Sequence, residues 1–213
     1  ERGNMDLLHR FIFSNTPIRG RIVQLSRSYV EALQHQELTV EGSNLLGEAL
    51  AAVSLVADSL KFDGSVTLQA QGQGKISKLV AECHGSHLIR GLATNNEKAE
   101  PSGEESDNIS LISGNQIAIS LLPKDSKQMQ PYQGIVELKK EGLAESLSAY
   151  FKSSEQLLTS FVLTCLDGKS AGLFLQKLPT SEETSSLNDD FDETWNTLNI
   201  LARTVTHDEL TSL

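Results

Sequence analysis

The chain has 213 residues, 18 Lys and Arg against 28 Asp and Glu for a formal charge of −10, and a hydrophobic share of 38%. That is enough for one sizeable core with an appendage, while the acidic balance argues against a general nucleic-acid binder, which needs surplus cations for phosphate. Two cysteines, Cys83 and Cys165, exclude a disulfide scaffold and offer no zinc-finger spacing.

In chain order, the amino end has no apolar stretch suited to a secretory signal. Residues 6–13 and 18–25 are apolar-rich and separated by Asn15-Thr16-Pro17, which predicts two strands joined by a turn. Leu45, Leu46, Ala49, Leu50, Val53, Val56 and Leu60 recur at steps of three and four. This predicts an amphipathic helix of about four turns, ended by Asp63-Gly64. Its longest mostly apolar run, residues 49–57, is too short to span a bilayer, so no membrane is expected. Val66, Leu68 and Ala70 alternate with polar residues and predict a half-buried strand. Residues 78–83, 88–93, 117–121 and 133–138 read as further strands, and the polar stretch 94–108 as a long surface loop. Leu143, Leu147, Tyr150 and Phe151 predict a second helix. Residues 161–166 and 172–178 form a predicted hairpin around Asp167-Gly168. Strands outnumber helices and short turns join most of them, so the fold class is α+β: mostly antiparallel sheet with two helices packed on one face, followed by a helical linker segment.

The composition shifts at Pro179. The polar run 180–186 reads as a linker, dividing the chain into a core, 1–179, and an acidic tail, 180–213. The tail holds eight carboxylates against the single Arg203, a net −7 of the total −10. Phe191, Trp195, Leu198 and Ala202 repeat at helical steps, with Asn188 as a cap and Asp189, Asp190 and Asp192 at the positive end of the helix dipole. Thr206-His207-Asp208-Glu209 is a capping box. Only four residues follow Glu209, short for a helix so announced, and the expectation is that the natural protein continues.

Chemistry is sparse. Gly168-Lys169-Ser170 resembles the end of a phosphate-binding loop, but position 163, where the motif needs glycine, is leucine. Gly72-Gln73-Gly74-Lys75 reads as a hairpin turn. Cys83, His84 and His87 place three potential metal ligands within five residues, so a metal-binding protein or metalloenzyme is the alternative reading; zinc would need a fourth group such as Cys165 or His9. A buried cysteine beside a solvated turn is the simpler account of the same residues. No nucleophile elbow and no His-Glu-X-X-His motif occurs, and no enzyme is expected. The apolar strip of the tail is the most informative feature. If it docks marginally on the core, its release would expose two apolar surfaces at once, as in a switchable protein-binding site.

Several strings, taken in order, carry a resemblance: Ile18-Arg19-Gly20-Arg21-Ile22-Val23-Gln24-Leu25, Asn44-Leu45-Leu46-Gly47-Glu48, Lys61-Phe62-Asp63-Gly64 leading to Gln69 and Gly72, Leu88-Ile89-Arg90-Gly91, Tyr132-Gln133-Gly134-Ile135-Val136, Tyr150-Phe151 followed by Ser154-Glu155-Gln156, and Gly172-Leu173-Phe174-Leu175-Gln176 with Leu178-Pro179. Together they closely resemble the 33 kDa chaperonin family of redox-regulated heat-shock chaperones. The resemblance covers residues 5–179 and extends more loosely through the tail. It implies an ATP-independent holdase of the bacterial cytoplasm that binds unfolding client proteins under oxidative stress. It also implies a homodimer, which a swapped tail would be one way to build. In that family a carboxy-terminal domain binds zinc through four cysteines, whose oxidation to disulfides releases the metal and unfolds the linker. None of those cysteines is present here, and Cys83 and Cys165 match no switch position, so no zinc ligand or other cofactor is carried over to this chain. Leu158 also stands where the family commonly has proline. The reading is a chaperone core plus linker, with Phe191, Trp195, Leu198 and Leu201 and the core surface they cover as the client-binding region.

Overall fold

The computed structural model describes residues 5–60, 63–85, 88–99, 111–114, 116–125, 130–179 and 188–212, with Asn188 as backbone alone. The expected linker at 180–186, the cap at the Asn188 side chain, His87 and most of the loop after residue 99 lie outside the described residues.

The strands expected at the amino end are β1 (Leu7–Ile12) and β2 (Ile18–Leu25). They pair antiparallel, with Phe11 opposite Gly20. The turn closes through Phe13 N–H to the Ile18 carbonyl at 3.0 Å, with the Thr16 hydroxyl donating to the Phe13 carbonyl at 2.9 Å. A short helix follows, α1 (Arg27–Leu33), which buries only Tyr29. Then comes α2 (Val40–Ser59), capped by Thr39, whose hydroxyl accepts the Gly42 N–H at 3.1 Å. β3 (Gly64–Gln71), β4 (Ile76–His84), β5 (Leu88–Asn95), β6 (Gln116–Pro123) and β7 (Tyr132–Glu137) come next. α3 (Leu143–Ser154), β8 (Thr159–Leu166) and β9 (Lys169–Lys177) close the core. The β8–β9 turn is Asp167-Gly168 as expected, with φ of 50° and 77° at its two central residues. That is the left-handed geometry which Asp tolerates and Gly favours, and it matches the twist of the strands.

The α+β class holds, but the strands divide into two antiparallel sheets: one in the order β1-β2-β9-β8, the other β5-β4-β3-β6-β7. Helix α2 touches both, meeting β2, β8 and β9 of the first and β3, β4 and β5 of the second. This is why the helix runs to 20 residues and is buried on nearly every side from Leu45 to Val56. By length and composition alone α2, longer than the run 49–57, is long and apolar enough to cross a bilayer; here it packs between the two sheets. Alternation does the rest. Val66, Leu68 and Ala70 on β3 stand opposite Cys83, Ala81 and Leu79 on β4, all buried toward α2. Gly72 closes the β3–β4 hairpin with its N–H to Ser77. A Cβ there would lie 1.7 Å from the Ile112 carbonyl oxygen, so only glycine fits.

One part of this core is ionic. Asp58, near the end of α2, has a side chain only 2% exposed and pairs with Arg10 and with Arg21 Nε, the latter at 2.6 Å. Arg21, itself 8% exposed, also lies over the Phe174 ring at 5.5 Å. Phe174 continues into an aromatic row with Phe161 and Phe151 at centroid distances of 5.2 and 5.7 Å. Burial alone would raise the Asp58 carboxyl; hydrogen bonds and charge from the two guanidinium groups outweigh it and hold it below its ordinary range.

Candidate functional site

The first sheet has two apolar faces. Its inner face sends Val23, Leu25, Phe161 and Phe174 into the core with α2. Period-two alternation therefore puts Ile18 and Ile22 on the outer face of β2, Ala171, Leu173 and Leu175 on that of β9, and Val162 on that of β8. A solvated sheet face would carry polar residues at these positions. Instead they form a second buried cluster, extended by Phe11 and Phe13, whose rings meet edge-on at 5.6 Å. Gly20, opposite Phe11, leaves room for that ring.

The tail covers this face. It consists of α4 (Asn188–Ala202) and α5 (His207–Thr211), packed on β2, β8 and β9. Trp195 is 5% exposed, Ala202 4% and Leu210 2%, all within the cluster, with Leu198 and Val205 half-buried against it. The expected capping box forms: the Thr206 hydroxyl accepts the Glu209 N–H at 3.3 Å, and the Thr206 N–H donates to Glu209 Oε2 at 2.8 Å. The Thr206 N–H and the Thr206 hydroxyl, which also donates to Oε2 at 2.9 Å, hold the exposed Glu209 carboxyl below its ordinary range. Having its start fixed locally, α5 can drive Leu210 into the sheet despite its five residues.

Among the described residues, four polar contacts tie the tail down. Gln24 Nε2 donates to the Leu210 carbonyl at 2.6 Å, and Thr164 Oγ1 meets His207 Nδ1 at 3.0 Å. Lys177 pairs with Asp192, and Arg203 reaches Glu145 of α3 at 3.2 Å. The seam is therefore narrow: three buried apolar side chains from the tail and a few bonds, two of them ion pairs with exposed carboxylate or guanidinium partners that contribute little.

The structure brings together only part of the expected strip. Trp195 and Leu198 lie on the covered side; Phe191 is half-buried but is not part of the covered cluster, and Leu201 is 55% exposed, next to Ile200 at 65%. Six residues beyond Trp195, at about 100° each, Leu201 falls on the far side of the helix, whereas Ala202 returns to the near side. Leu210 and Val205 were missed as anchors, although the capping box pointed to the helix that carries Leu210.

The metal constellation does not assemble from the described residues. Cys83 points into the core, where its thiol contacts the Gly85 carbonyl at 3.3 Å, while His84 follows it on the exposed face of the strand. No group of three His, Cys, Asp or Glu suited to a metal occurs among the described residues. Burial first, then the charges of Asp58 and Glu82, push the Cys83 thiol up to about 11, so it is protonated near neutrality and a poor ligand. Cys165, buried against Tyr29 and Gly47, is likewise pushed up to about 11. Zinc therefore does not fit the cysteines present. Gly168-Lys169 and Gly72-Gln73-Gly74 are hairpin turns, not phosphate cradles.

Comparison with known proteins places this geometry. A family model described as Hsp33 protein matches residues 6–213. The 33 kDa chaperonin of Ectopseudomonas mendocina (strain ymp) is 39% identical over 208 residues, covering 98% of this chain and 68% of that protein. The 33 kDa chaperonin of Pseudomonas aeruginosa (strain LESB58) is 40% identical over 210 residues, with the same coverage of 98% and 68%. Among solved structures, the crystal structure of a 33 kDa chaperonin (heat shock protein 33 homolog) from Thermotoga maritima superposes with a TM-score of 0.68 over 95% of this chain and 72% of that one, at 22% identity, and shares the fold.

Proposed function

The chain belongs to the Hsp33 protein family, whose curated members are chaperonins, and from that premise we propose that it is an ATP-independent holdase whose client surface is the outer face of the β1-β2-β9-β8 sheet. The observation that supports this reading is the second apolar cluster. Ile18, Ala171, Leu173 and Leu175 are dry only because Trp195, Ala202 and Leu210 cover them. When the tail lifts, a contiguous apolar face is uncovered on a sheet whose other side remains packed, and the tail offers its own apolar strip beside it. Unfolding proteins, which expose apolar segments, are the partners such a face suits. A bacterial cytoplasm and a homodimer are the setting and assembly that the family resemblance implies.

Nothing in this mechanism is routed through zinc or through the two thiols. Redox control, as the resemblance implies it, needs cysteine ligands other than Cys83 and Cys165. In this chain the control point is the docking equilibrium of the tail, set by the apolar anchors and the four polar ties. The test is suppression of light scattering from a thermally unfolding client, without nucleotide, by the native chain and by Trp195→Ala. Suppression that is stronger in the variant supports the reading. If neither protein suppresses aggregation, or if added ATP is required, the holdase reading is wrong.

A further inference from the structure

Where the two sheets approach each other beside the end of α2, a cavity of about 160 Å³ opens between Val56 of α2, Leu60 just past its end, Leu121 of β6, Tyr150 of α3, and Arg19 and Gln176 of the first sheet. It lies away from the tail contacts, on the opposite face of β2 from Ile18. Its walls are mostly aliphatic and aromatic, and its charged lining residues are Arg19 on one side and Glu155 on the other. Glu155 is at the exposed lip, where Tyr132 Oη donates to it at 2.9 Å. Arg19 is different. Its Nη2 donates to Gln176 Oε1 at 2.8 Å, but its Nε is buried and has no hydrogen-bond partner.

Charge in this neighbourhood is out of balance. Asp58 is paired with Arg10 and Arg21, and its charge reaches Arg19 only more weakly than burial and the like charge of Arg21 act on it. Among the described residues no carboxylate lies within ion-pair distance of Arg19. Arg21 Nη1 is also buried without a partner. A buried guanidinium N–H without an acceptor is costly, and an anion that supplied one would relieve that cost.

We propose that this cavity is a binding site for a small monocarboxylate with an apolar body, its carboxylate pairing with the Arg19 guanidinium at the cavity wall and its body lying against Val56, Leu60 and Leu121. The size limits the guest: a dry cavity of roughly 150 Å³ takes a benzene-sized molecule, so an aromatic acid such as benzoate, or a branched aliphatic acid of similar bulk, fits. Burial first, and then the neighbouring charge of Arg21, lower the Arg19 pKa. A bound carboxylate favours the charged guanidinium and so offsets both penalties.

The experiment is calorimetric titration of the full chain with sodium benzoate, and in parallel with benzyl alcohol and benzylammonium as neutral and cationic counterparts. One saturable site for benzoate is expected, roughly tenfold or more tighter than for benzyl alcohol, the scale of a hydrogen bond to a charged group. Arg19→Gln should reduce benzoate to the level of benzyl alcohol, and Leu121→Trp, which fills the cavity, should remove both. Absence of saturable benzoate binding, equal affinity for benzyl alcohol, or preference for benzylammonium would overturn the proposal, as would unchanged binding in folded Arg19→Gln. Should either variant fail to fold, the discrimination among the three compounds by the native chain decides.

Discussion

The side-chain amide of Gln24 donates to the backbone carbonyl of Leu210 over 2.6 Å, joining the second strand of the core to the last helix of the tail. Both partners are buried, so the bond has no water competing for it. Gln24→Ala leaves the carbonyl without its partner, at a cost of about 1 kcal/mol to docking. Amide exchange in α5 should quicken about fivefold, with the melting of the core little changed. Unaltered exchange in α5 would mean that this bond does not hold the tail.

Trp195 is the largest apolar anchor of the tail, and Trp195→Ala should weaken docking by about 3–5 kcal/mol, the range for removing a buried aromatic. Binding of an apolar fluorescent dye should rise, and amides of α4 and α5 should lose protection together. Leu201→Ala, on the exposed side of the same helix, should leave both signals unchanged. If the two variants behave alike, the cover is not held by the buried strip.

Replacing Asp58 with Asn strands the buried Arg21 charge, and a loss of about 3–5 kcal/mol in global stability is expected. Arg10→Ala should cost much less, because Arg10 is 64% exposed and Arg21 still pairs with the carboxylate. The sign of the pH dependence follows from the depressed carboxyl. Its stabilisation is fully present above the ordinary value of 3.8 and is lost as pH falls through the lower folded value. Chemical denaturation between pH 5 and about 2, near and below the ordinary carboxylate range, should show an acid limb that is flatter in Asp58→Asn.

Both thiols titrate near 11 when folded, against an ordinary 9.0. Above pH 9 the unfolded chain releases these protons first, so stability should decline as pH rises from 9 through 11. At pH 8 a thiol reagent should react with Cys83 and Cys165 only after denaturant is added. Rapid labelling of the native protein would show that the core opens around them.

Much of this was readable from residue spacing. The Asp167-Gly168 turn announces its left-handed geometry, and the strand faces follow from alternation, as at Val66, Leu68 and Ala70. What escaped has physical causes. Helix α1 is only seven residues long and buries only Tyr29, too short for a periodic signal to stand out. The division into two sheets was hidden because a helix apolar on nearly every side carries no directional pattern to say how many neighbours it has. Arg19 and Arg21 looked like ordinary strand charges; only the tertiary approach of Asp58 to Arg21 makes an ion cluster of them. In the tail the four-three-four step of Phe191, Trp195, Leu198 and Ala202 marks one helix face, and Leu201, a neighbour of Ala202 in sequence, lies off that face.

The outer face of the first sheet is built from residues far apart in the chain, Ile18 near one end of the described sequence and Leu173 and Leu175 late in it, while its cover arrives later still with Trp195 and Leu210. A ribosome making this protein at about 5–20 residues per second completes the sheet seconds before the cover emerges. Every newly made molecule therefore passes through an interval in which its apolar face is bare beside other nascent chains. The first apolar segment such a surface meets is its own tail, in competition with whatever else is being synthesised nearby.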